Sequence, residues 1–437
     1  MSFSKPYPAV TPPLLLLGLG AAALPFGPVA DHLRGALFDV YQAHLAGGAV
    51  RPALALPGEL GALLLGGGIA IALMTKLRSH WAGLFVALAV VLGFYASWFA
   101  YGQHHWLIDA ATPSLVLVLV FAACLLMRWR EIAQERARLR WAFSDSLPPG
   151  SVEKIARRPD LLSVDGETRN VSYLVCGVRG LSQLATVLHD KPKAFTQIMQ
   201  QVLTPLLDQA LAHGGTIDRL TADGFAAFWN APLDDADHAL HACEAANGMA
   251  IMSARVTEEL AQQHRGDAPP ALVEIGVGVA TGPVIAGGYG GCGRMVYSVN
   301  GDAVTLAQRI QTLSHQYGPA LIVADETRRL ADRGFAFLEV DTIAAGASDP
   351  PVTLYAIMGN PVARASPKFR ALTVFHDHIF QAIRKQHWQM ARELIAQCRR
   401  LSGASGKMYD LHLARIAYYE KHPPGEKWDG AFRPVLE

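Results

Sequence analysis

The segment LVCGVRGLS, from Leu174 to Ser182, has the pattern of a buried strand that runs into a glycine turn and then a helix. The junction between a strand end and a helix N-terminus is a favourable place to hold phosphate, because unpaired backbone amides point there. Phosphate chemistry at such a turn would need a metal-binding carboxylate, but the turn position is Gly177. The segment therefore predicts the shape of a phosphate site that lacks one of its ligands.

Strands and helices alternate around this segment from Asn170 onward. GGTIDRLTADGFAAFWNAP predicts two short strands that turn at Ala222-Asp223-Gly224, and Asp237–Leu260 predicts a long amphipathic helix. MVYSVNG predicts another strand, and a helix over Asp302–Leu313 follows it. Such alternation is typical of a layered α/β domain.

Taken together and in order, these segments resemble the catalytic domain of class III nucleotidyl cyclases. The resemblance runs from about Glu167 to Met358 and rests on LVCGVRGLS, GGTIDRLTADGFAAFWNAP, IGVGVATGPVIAGG and RMVYSVNGDAVTLAQRI. It implies a ferredoxin-like α/β fold that cyclises ATP or GTP by attack of the 3′ oxygen on the α-phosphorus. It also implies two Mg²⁺ or Mn²⁺ ions held by two aspartates, at a site that forms only between two catalytic domains.

The resemblance places the first metal aspartate at Gly177, which has no side-chain ligand, so that only the carbonyl of Val178 remains there as a donor. The second metal aspartate is present as Asp223. Gly180 keeps the close approach of the backbone to phosphate. The metal half of the site is therefore incomplete.

The substrate half is also altered. The position of the adenine-contacting lysine holds Arg219, and its partner position holds Ser298. The asparagine that orients the ribose is replaced by Thr305, whereas the phosphate-facing arginine is present as Arg309. Because a serine hydroxyl both donates and accepts hydrogen bonds, the choice between ATP and GTP stays open.

Nearby acids are candidates to replace the missing metal ligand by proximity in sequence: Asp165, Glu167, Asp218 and Asp302. Strand alternation puts Asp218 on the face opposite Arg219 and so predicts that it points away from the site. The glycine-rich run GGYGG lacks the GK[ST] of a phosphate loop, and we interpret it as a hairpin tip.

The N-terminal region is strongly apolar and predicts a membrane domain. Four apolar segments stand out there: Ala9–Val29, Leu60–Thr75, Trp81–Tyr101 and Ala110–Met127. About 20 residues are needed to cross a bilayer. Basic residues cluster after the fourth segment, in RWREIAQERARLRW, and the loop GQHHWLID has no Lys or Arg. The positive-inside rule then predicts a multi-pass protein of the inner (plasma) membrane, with both termini and the cyclase-like domain in the cytoplasm.

This region also resembles the membrane half of CHASE2-type sensor cyclases, in which an extracellular sensor follows the first helix. DHLRGALFDVYQ resembles the start of such a sensor, but the next apolar segment follows too soon to leave room for the rest. We expect four regions: a membrane domain of about four helices over 1–128, a helical linker over 129–166, the cyclase-like domain over 167–358 and a C-terminal helical extension over 359–437.

The composition of the 437 residues excludes some classes of protein. The formal net charge of +1 gives no reason to expect a nucleic-acid partner. The five cysteines are scattered without a CxxC pair, so neither a disulfide framework nor a zinc site is expected.

Three functional hypotheses follow. The first is a membrane-anchored class III adenylate/guanylate cyclase homologue (family reaction ATP to cyclic AMP and pyrophosphate) that is weak or inactive. It would serve as a regulatory or dimerisation subunit, as a homodimer or with an intact cyclase. The second is an active adenylate cyclase homodimer with a substitute metal ligand and Mg²⁺ or Mn²⁺. The third is a non-catalytic membrane sensor that binds a nucleotide.

Overall fold

The computed structural model describes residues 28–44, 53–54, 79–104, 106–144, 146–162, 165–263, 274–291, 294–344, 350–400, 406–425 and 428–433. The chain divides into two compact units, Met1–Ala137 and Arg138–Glu437. The elements of the first unit, the last of which extends past its boundary, are α1 Pro28–His44, β1 Ala53–Leu54, α2 Ser79–His104, β2 Trp106–Leu107 and α3 Ala111–Phe143.

Among the described residues of the first unit, two helices are long and apolar enough to cross a membrane. The candidate spans are Gly83–His104 in α2 and Ala111–Ala137 in α3. They coincide in place with the predicted segments Trp81–Tyr101 and Ala110–Met127. The predicted segments Ala9–Val29 and Leu60–Thr75 lie outside the described residues, except for the first two residues of α1.

The start of α3 is fixed by a buried carboxylate. Asp109 is 2% exposed, and its Oδ1 accepts hydrogen bonds of 3.0 Å from the backbone amides of Ala111 and Thr112. Its Oδ2 accepts a bond of 3.1 Å from Nε of Arg34 on α1. Asp109 therefore caps one helix and holds another, because the first amides of a helix have no partner within it.

The second unit begins with α4 Pro149–Arg157 and a 3₁₀ turn at Pro159–Leu161. The strands that follow are β3 Glu167–Val178, β4 Thr216–Thr221, β5 Gly224–Trp229, β6 Ile275–Gly291, β7 Arg294–Asn300, β8 Leu321–Ala324, β9 Ala336–Ile343 and β10 Val352–Gly359. The helices between them are α5 Leu181–Val187, α6 Pro192–Ala212, α7 His238–Gln263, α8 Asp302–Tyr317 and α9 Asp325–Ala331.

Within the described residues these eight strands form one mixed sheet in the order β4-β5-β3-β6-β8-β10-β9, with β7 paired to β6. The first four strands have the ferredoxin-like order, and β8 runs parallel to β6. Helices cover both faces: α6 and α7 pack against Leu174 and Cys176, whereas α8 packs against Val171 and Tyr173. Burial on both faces explains the nearly continuous apolar run of β3. The predicted α/β fold of this unit is confirmed.

Helix α8 approaches the sheet closely because glycines face it. A Cβ at Gly278 on β6 would lie 2.5 Å from the backbone nitrogen of Gln311 and still closer to the carbonyl oxygen of Ala307. Backbone atoms cannot swing aside as a side chain can. Gly278 therefore fixes the distance between α8 and the sheet.

The C-terminal extension packs on the same unit. Its helices are α10 Pro361–Ala365, α11 Pro367–Arg384, α12 Trp388–Arg399 and α13 Gly406–Lys421. Buried side chains such as Leu372, Ile395 and Ile416 belong to the same hydrophobic core as the α8 face of the sheet. A buried ion pair joins Arg415 of α13 to Asp341 of β9, and the hydroxyl of Tyr317, the last residue of α8, donates to the same carboxylate.

Candidate functional site

The residues matched to the metal half lie together at one end of β3. Gly177 pairs with Gly224 across the β3–β5 ladder, and the backbone amide of Val178 donates to the carbonyl oxygen of Asp223 at 2.7 Å. The β4–β5 hairpin turn thus lies against the end of β3. We call Gly177, Val178 and Asp223 the metal edge.

The space beside Gly177 is filled. An ideal Cβ at this position would collide with the side-chain amide of Gln311, which reaches down from α8. The obstacle is the far end of a flexible side chain, in contrast to the fixed backbone that faces Gly278. A side chain at 177 would fit only if Gln311 moved.

The donors at the metal edge do not make up a two-metal site. Asp223 is exposed, and its carboxylate accepts a hydrogen bond of 3.0 Å from Thr221. Across the part of the chain that the structure describes, no three His, Cys, Asp or Glu side chains cluster so as to hold a metal ion. One carboxylate and one carbonyl are fewer donors than the two aspartates that the resemblance assigns to the two ions, although water and substrate phosphates supply the other ligands of such ions.

The candidate substitute acids lie elsewhere. Glu167 is at the opposite end of β3, roughly 33 Å from Gly177 at about 3.3 Å per residue, and it pairs with Arg169. Asp165 precedes it. Asp302 is exposed at the first turn of α8, about two and a half turns from Gln311. None of these three carboxylates replaces the missing ligand.

Arg219 and Ser298 lie in a separate cavity of about 380 Å³. We call this cavity the base cleft; its walls are formed by Asp218, Arg219, Tyr289, Val296, Ser298, Val299, Asn300 and Val304. Strands β4 and β7 supply the polar side chains, and the first turn of α8 supplies Val304. The volume lies within the range of about 300–1,000 Å³ that is usual for small-molecule sites.

Asp218 faces this cleft, and the prediction that it points away from Arg219 was wrong. The β4–β5 register shifts between Ile217 and Arg219, so that Asp218 is the extra residue of a β-bulge. A bulge breaks the strict alternation of side chains and re-aims one of them. The side chain of Asp218 is only 5% exposed.

The Asp218 carboxylate is held by three neighbours. Its Oδ2 accepts a hydrogen bond of 2.6 Å from the Tyr173 hydroxyl and lies 3.5 Å from Nε of Arg219. Its Oδ1 accepts a hydrogen bond from the Ser298 hydroxyl, and Nη2 of Arg219 donates to the Tyr173 oxygen at 3.2 Å. Burial and the adjacent Asp218 carboxylate raise the pKa of Tyr173 above its ordinary value, so its hydroxyl stays protonated and donates.

The remaining predicted residues lie on α8 and α5. Thr305 is exposed and Arg309 is half-buried, one turn apart on the same face of α8. No hydrogen bond or ion pair joins the guanidinium of Arg309 to another residue in the described part of the chain. Gly180 is the N-cap of α5 with φ +82°, a conformation that glycine adopts without strain.

Sequence reasoning missed three residues of the site: Gln311, Tyr173 and the inward side chain of Asp218. The sequence pattern predicts Gln311 only as a helix residue and Tyr173 only as a strand residue, and assigns neither to the site. The bulge at Asp218 contains no glycine or proline from which it could be predicted. The only indication in the sequence that Asp218 belongs to the site is its position next to Arg219.

Residues 167–359 match the model of the adenylate and guanylate cyclase catalytic domain. Adenylate cyclase 1 of Rhizobium meliloti (strain 1021) is 25% identical over 170 residues, which are 38% of this chain and 24% of the relative. The adenylate cyclase of Anabaena cylindrica is 26% identical over 199 residues, which are 44% of this chain and 37% of the relative. The chain therefore spans about a quarter to a third of the length of these curated relatives.

Among solved structures, the guanylyl cyclase Cya2 is similar with 25% identity and a TM-score of 0.40, over 45% of this chain and 94% of that one. The adenylyl cyclase CyaB from P. aeruginosa has 24% identity and a TM-score of 0.40, over 44% and 95%. The family model and the curated relatives together support a class III adenylate/guanylate cyclase catalytic domain over residues 167–359 of the second unit.

Proposed function

We propose that this chain is a membrane-anchored cyclase homologue that no longer makes cyclic nucleotide by itself. It acts as a regulatory or dimerisation subunit in cyclic-nucleotide signalling. The observation that carries the proposal is the Gln311 side chain beside Gly177, where a metal-binding aspartate would project.

The expected loss of turnover is large. Removing one positioned donor at a catalytic site costs about 10²–10³ in rate, and Thr305 stands where such a donor is expected. The loss of a direct metal ligand at Gly177 costs more than the roughly 10–100-fold seen for residues behind the ligands. Although such effects need not add, either one leaves little activity.

Membrane anchoring is supported by the side chains of α2. Leu84, Phe85, Leu88 and Leu92 are each about half exposed or more. A row of exposed apolar side chains is unfavourable in water but suits a lipid environment. The basic run in the C-terminal half of α3 would then lie on the cytoplasmic side, together with the catalytic domain.

Pairing with a second catalytic domain is supported by exposed apolar side chains on strands β4, β6 and β7. Leu220, Ile285 and Val296 are exposed by 61%, 58% and 45%. In a mixed dimer, an intact partner would supply both metal aspartates, and this chain would supply the base cleft and Arg309. The partner is either a second copy or an intact cyclase.

The test is cyclic-nucleotide formation by the purified full-length chain, with ATP or GTP and Mn²⁺. We expect no product above that of an Asp223→Ala variant. Product that depends on Asp223 would show that the chain is an active cyclase and would overturn the proposal.

The base cleft also favours a second candidate, a membrane sensor that binds nucleotide without turnover. Its polar side chains are already fixed by hydrogen bonds, as in a preformed binding site. Nucleotide binding that persists when a partner cyclase is absent, and that leaves dimerisation unchanged, would favour the sensor over the subunit.

A further inference from the structure

We propose that a second cavity, at the far end of the β4–β5 hairpin from the metal edge, binds a small zwitterion of the amino-acid class. We call this cavity the linker cleft; it has a volume of about 490 Å³ and lies between α4, the loop 230–235 and α7. That volume is within the range usual for small-molecule sites. The linker cleft shares no residue with the base cleft or the metal edge, so the inference is independent of the proposed function.

The loop 230–235 forms a wall that is fixed by hydrogen bonds. Asn230 adopts φ +72°, a left-handed conformation that asparagine tolerates better than most residues. Its Oδ1 accepts from the backbone amide of Asp235 at 2.7 Å, and its Nδ2 donates to the carbonyl oxygen of Asn170 at 2.9 Å. Because the wall is already ordered, a ligand loses little affinity to the ordering of the protein.

Three acceptors line one side of the linker cleft. Glu244 of α7 is half-buried, and no hydrogen bond or ion pair joins its carboxylate to another residue in the described part of the chain. Nδ1 of His213 contacts the carbonyl oxygen of Gln209, and Nδ1 of His241 contacts Oδ2 of Asp235, both at 2.8 Å. Since these oxygens only accept, Nδ1 carries the proton, and Nε2 of each neutral ring is an acceptor.

These acceptors match a primary ammonium group, which has three N–H donors. Among the described residues, no three His, Cys, Asp or Glu side chains lie close enough together to hold a metal ion. An organic cation therefore suits this side of the linker cleft better than a metal ion does.

A positive charge lines the other side. Lys154 of α4 is exposed, and its ammonium has no acidic partner among the residues that the structure describes. Lys154 and Glu244 line the same cavity but do not pair with each other. A ligand with a carboxylate and an ammonium would pair with both, whereas a simple amine or a simple acid would pair with one.

The rest of the wall favours an apolar side chain on the ligand. Leu147, Ala231 and Pro232 are buried residues that line the linker cleft, and Leu233 is half-buried beside them. Apolar surface between two unpaired charges of opposite sign suits an amino acid such as leucine.

An occupant would join the linker to the domain that follows it. The backbone amide of Ile217 on β4 already donates to the carbonyl oxygen of Ser146 at 2.7 Å, which attaches the linker just before α4. A ligand held by both Lys154 and Glu244 would attach α4 itself to α7. Hydrogen exchange of the α4 amides should then slow when the ligand is bound.

The test is isothermal titration of the full-length chain in detergent micelles with leucine, isoamylamine and 4-methylpentanoate. The second compound is leucine without its carboxylate, and the third is leucine without its ammonium. We expect leucine to bind about threefold more tightly than isoamylamine, because the Lys154 contact is exposed. We expect it to bind at least about tenfold more tightly than 4-methylpentanoate, because the Glu244 contact is charged and half-buried.

Two variants assign each end of the ligand. Glu244→Gln keeps the shape of the side chain and should weaken leucine about tenfold. Lys154→Met should remove the advantage of leucine over isoamylamine, a difference that a merely structural role would not alter. The matched control is Glu258→Gln, which changes an exposed glutamate about four turns along α7 and should leave leucine binding unchanged.

Hydrogen exchange gives a second readout on the same proteins. Leucine should slow exchange of the α4 amides in the unaltered chain and in Glu258→Gln, and have little effect in Glu244→Gln. Absence of leucine binding would overturn the inference, as would isoamylamine binding as tightly as leucine. Equal leucine affinity in Glu244→Gln and Glu258→Gln would place the ligand outside the linker cleft and would overturn it as well.

Discussion

The base cleft and the metal edge lie on one sheet, yet their carboxylates are in opposite situations. At the base cleft, Asp218 is buried and held by Tyr173, Ser298 and Arg219. At the metal edge, Asp223 is exposed and its companion position is Gly177, with Gln311 in the vacated space. The base cleft is a set of side chains fixed by hydrogen bonds, whereas the metal edge has a single exposed carboxylate.

The difference teaches that recognition and turnover are separable within this fold. The base cleft depends on hydrogen bonds among residues of β3, β4 and β7, which also help to pack the sheet. At the metal edge, the Asp223 carboxylate accepts a hydrogen bond from the neighbouring Thr221 of the same hairpin. We therefore expect a change at the metal edge to leave both the fold and the base cleft intact.

The largest expected effect comes from rebuilding the metal edge. The variant Gly177→Asp, Thr305→Asn, Gln311→Ala restores the acid and the amide and removes the side chain that blocks position 177. We expect cyclic-nucleotide formation to rise from background by at least about 10². The control is Thr305→Asn, Gln311→Ala without the aspartate, which should stay at background. If the triple variant forms no cyclic nucleotide, the backbone around the metal edge also differs from that of an active cyclase.

A mixing experiment separates the two halves between two copies. One copy carries Thr305→Asn and keeps a complete substrate half. The other carries Gly177→Asp, Gln311→Ala and Arg309→Ala and keeps only the metal half. We expect product from the mixture and none from either copy alone, at a lower level than the triple variant because each mixed dimer holds a single complete site. Equal activity of one copy by itself would contradict the composite site.

The next variant tests the packing of α13 and α8 against β9, which meet at the ion pair between Arg415 and Asp341. The two side chains are 10% and 7% exposed. Arg415→Ala leaves a buried carboxylate without its cation, which costs about 3–5 kcal/mol of unfolding free energy. The matched control is Arg392→Ala, which breaks a half-exposed pair with Glu420 and should cost less than about 1 kcal/mol. Urea unfolding of both variants measures the difference. An equal loss of unfolding free energy in the two variants would show that the buried pair stabilises the protein no more than the exposed one.

Nucleotide affinity without divalent metal compares the two halves directly. Arg219→Ala should weaken ATP binding about tenfold, because it removes a charged donor from the base cleft. Asp223→Ala should leave the affinity within about twofold. Isothermal titration in EDTA measures both values, and an equal loss in the two variants would contradict the separation of recognition from metal binding.

The smallest expected effect is on the acid stability of the tail. Burial lowers the pKa of His376 to about 4, although its ring contacts the Glu339 carbonyl at 2.9 Å and the Tyr409 hydroxyl at 2.7 Å. Burial lowers the pKa of the nearby His412 as well.

Because the unfolded chain binds more protons between about pH 6.5 and 4, stability falls as the pH drops through this range. We expect a loss of roughly 1–2 kcal/mol between pH 7 and pH 5, which is largely absent in His376→Gln. The urea midpoint at the two pH values measures it, and an unchanged midpoint in the unaltered chain would refute it.

The sequence predicted the sheet and its helices well, since hydrophobic alternation and the hairpin turn are local signals. The family resemblance, and not a local pattern, assigned position 177 and Asp223 to one site, and the β3–β5 pairing does bring them side by side. The side chain of Asp218 was misplaced because a bulge is set by cross-strand register, which a single strand does not reveal. Gln311 contacts Gly177, and Arg415 contacts Asp341, only because the chain folds back on itself. No local sequence pattern predicts these contacts.

The buried pair between Arg415 and Asp341 bears on where this protein can be cut. The match to the cyclase family stops at residue 359, but the hydrophobic core continues through α11, α12 and α13. A fragment that ended at residue 359 would leave the buried Asp341 carboxylate without Arg415. It would also expose the apolar surface around Ile343 and Leu354 to solvent. The compact unit Arg138–Glu437 thus extends past the end of the family match, and we expect a chain cut at residue 359 to unfold at a lower urea concentration than the whole unit.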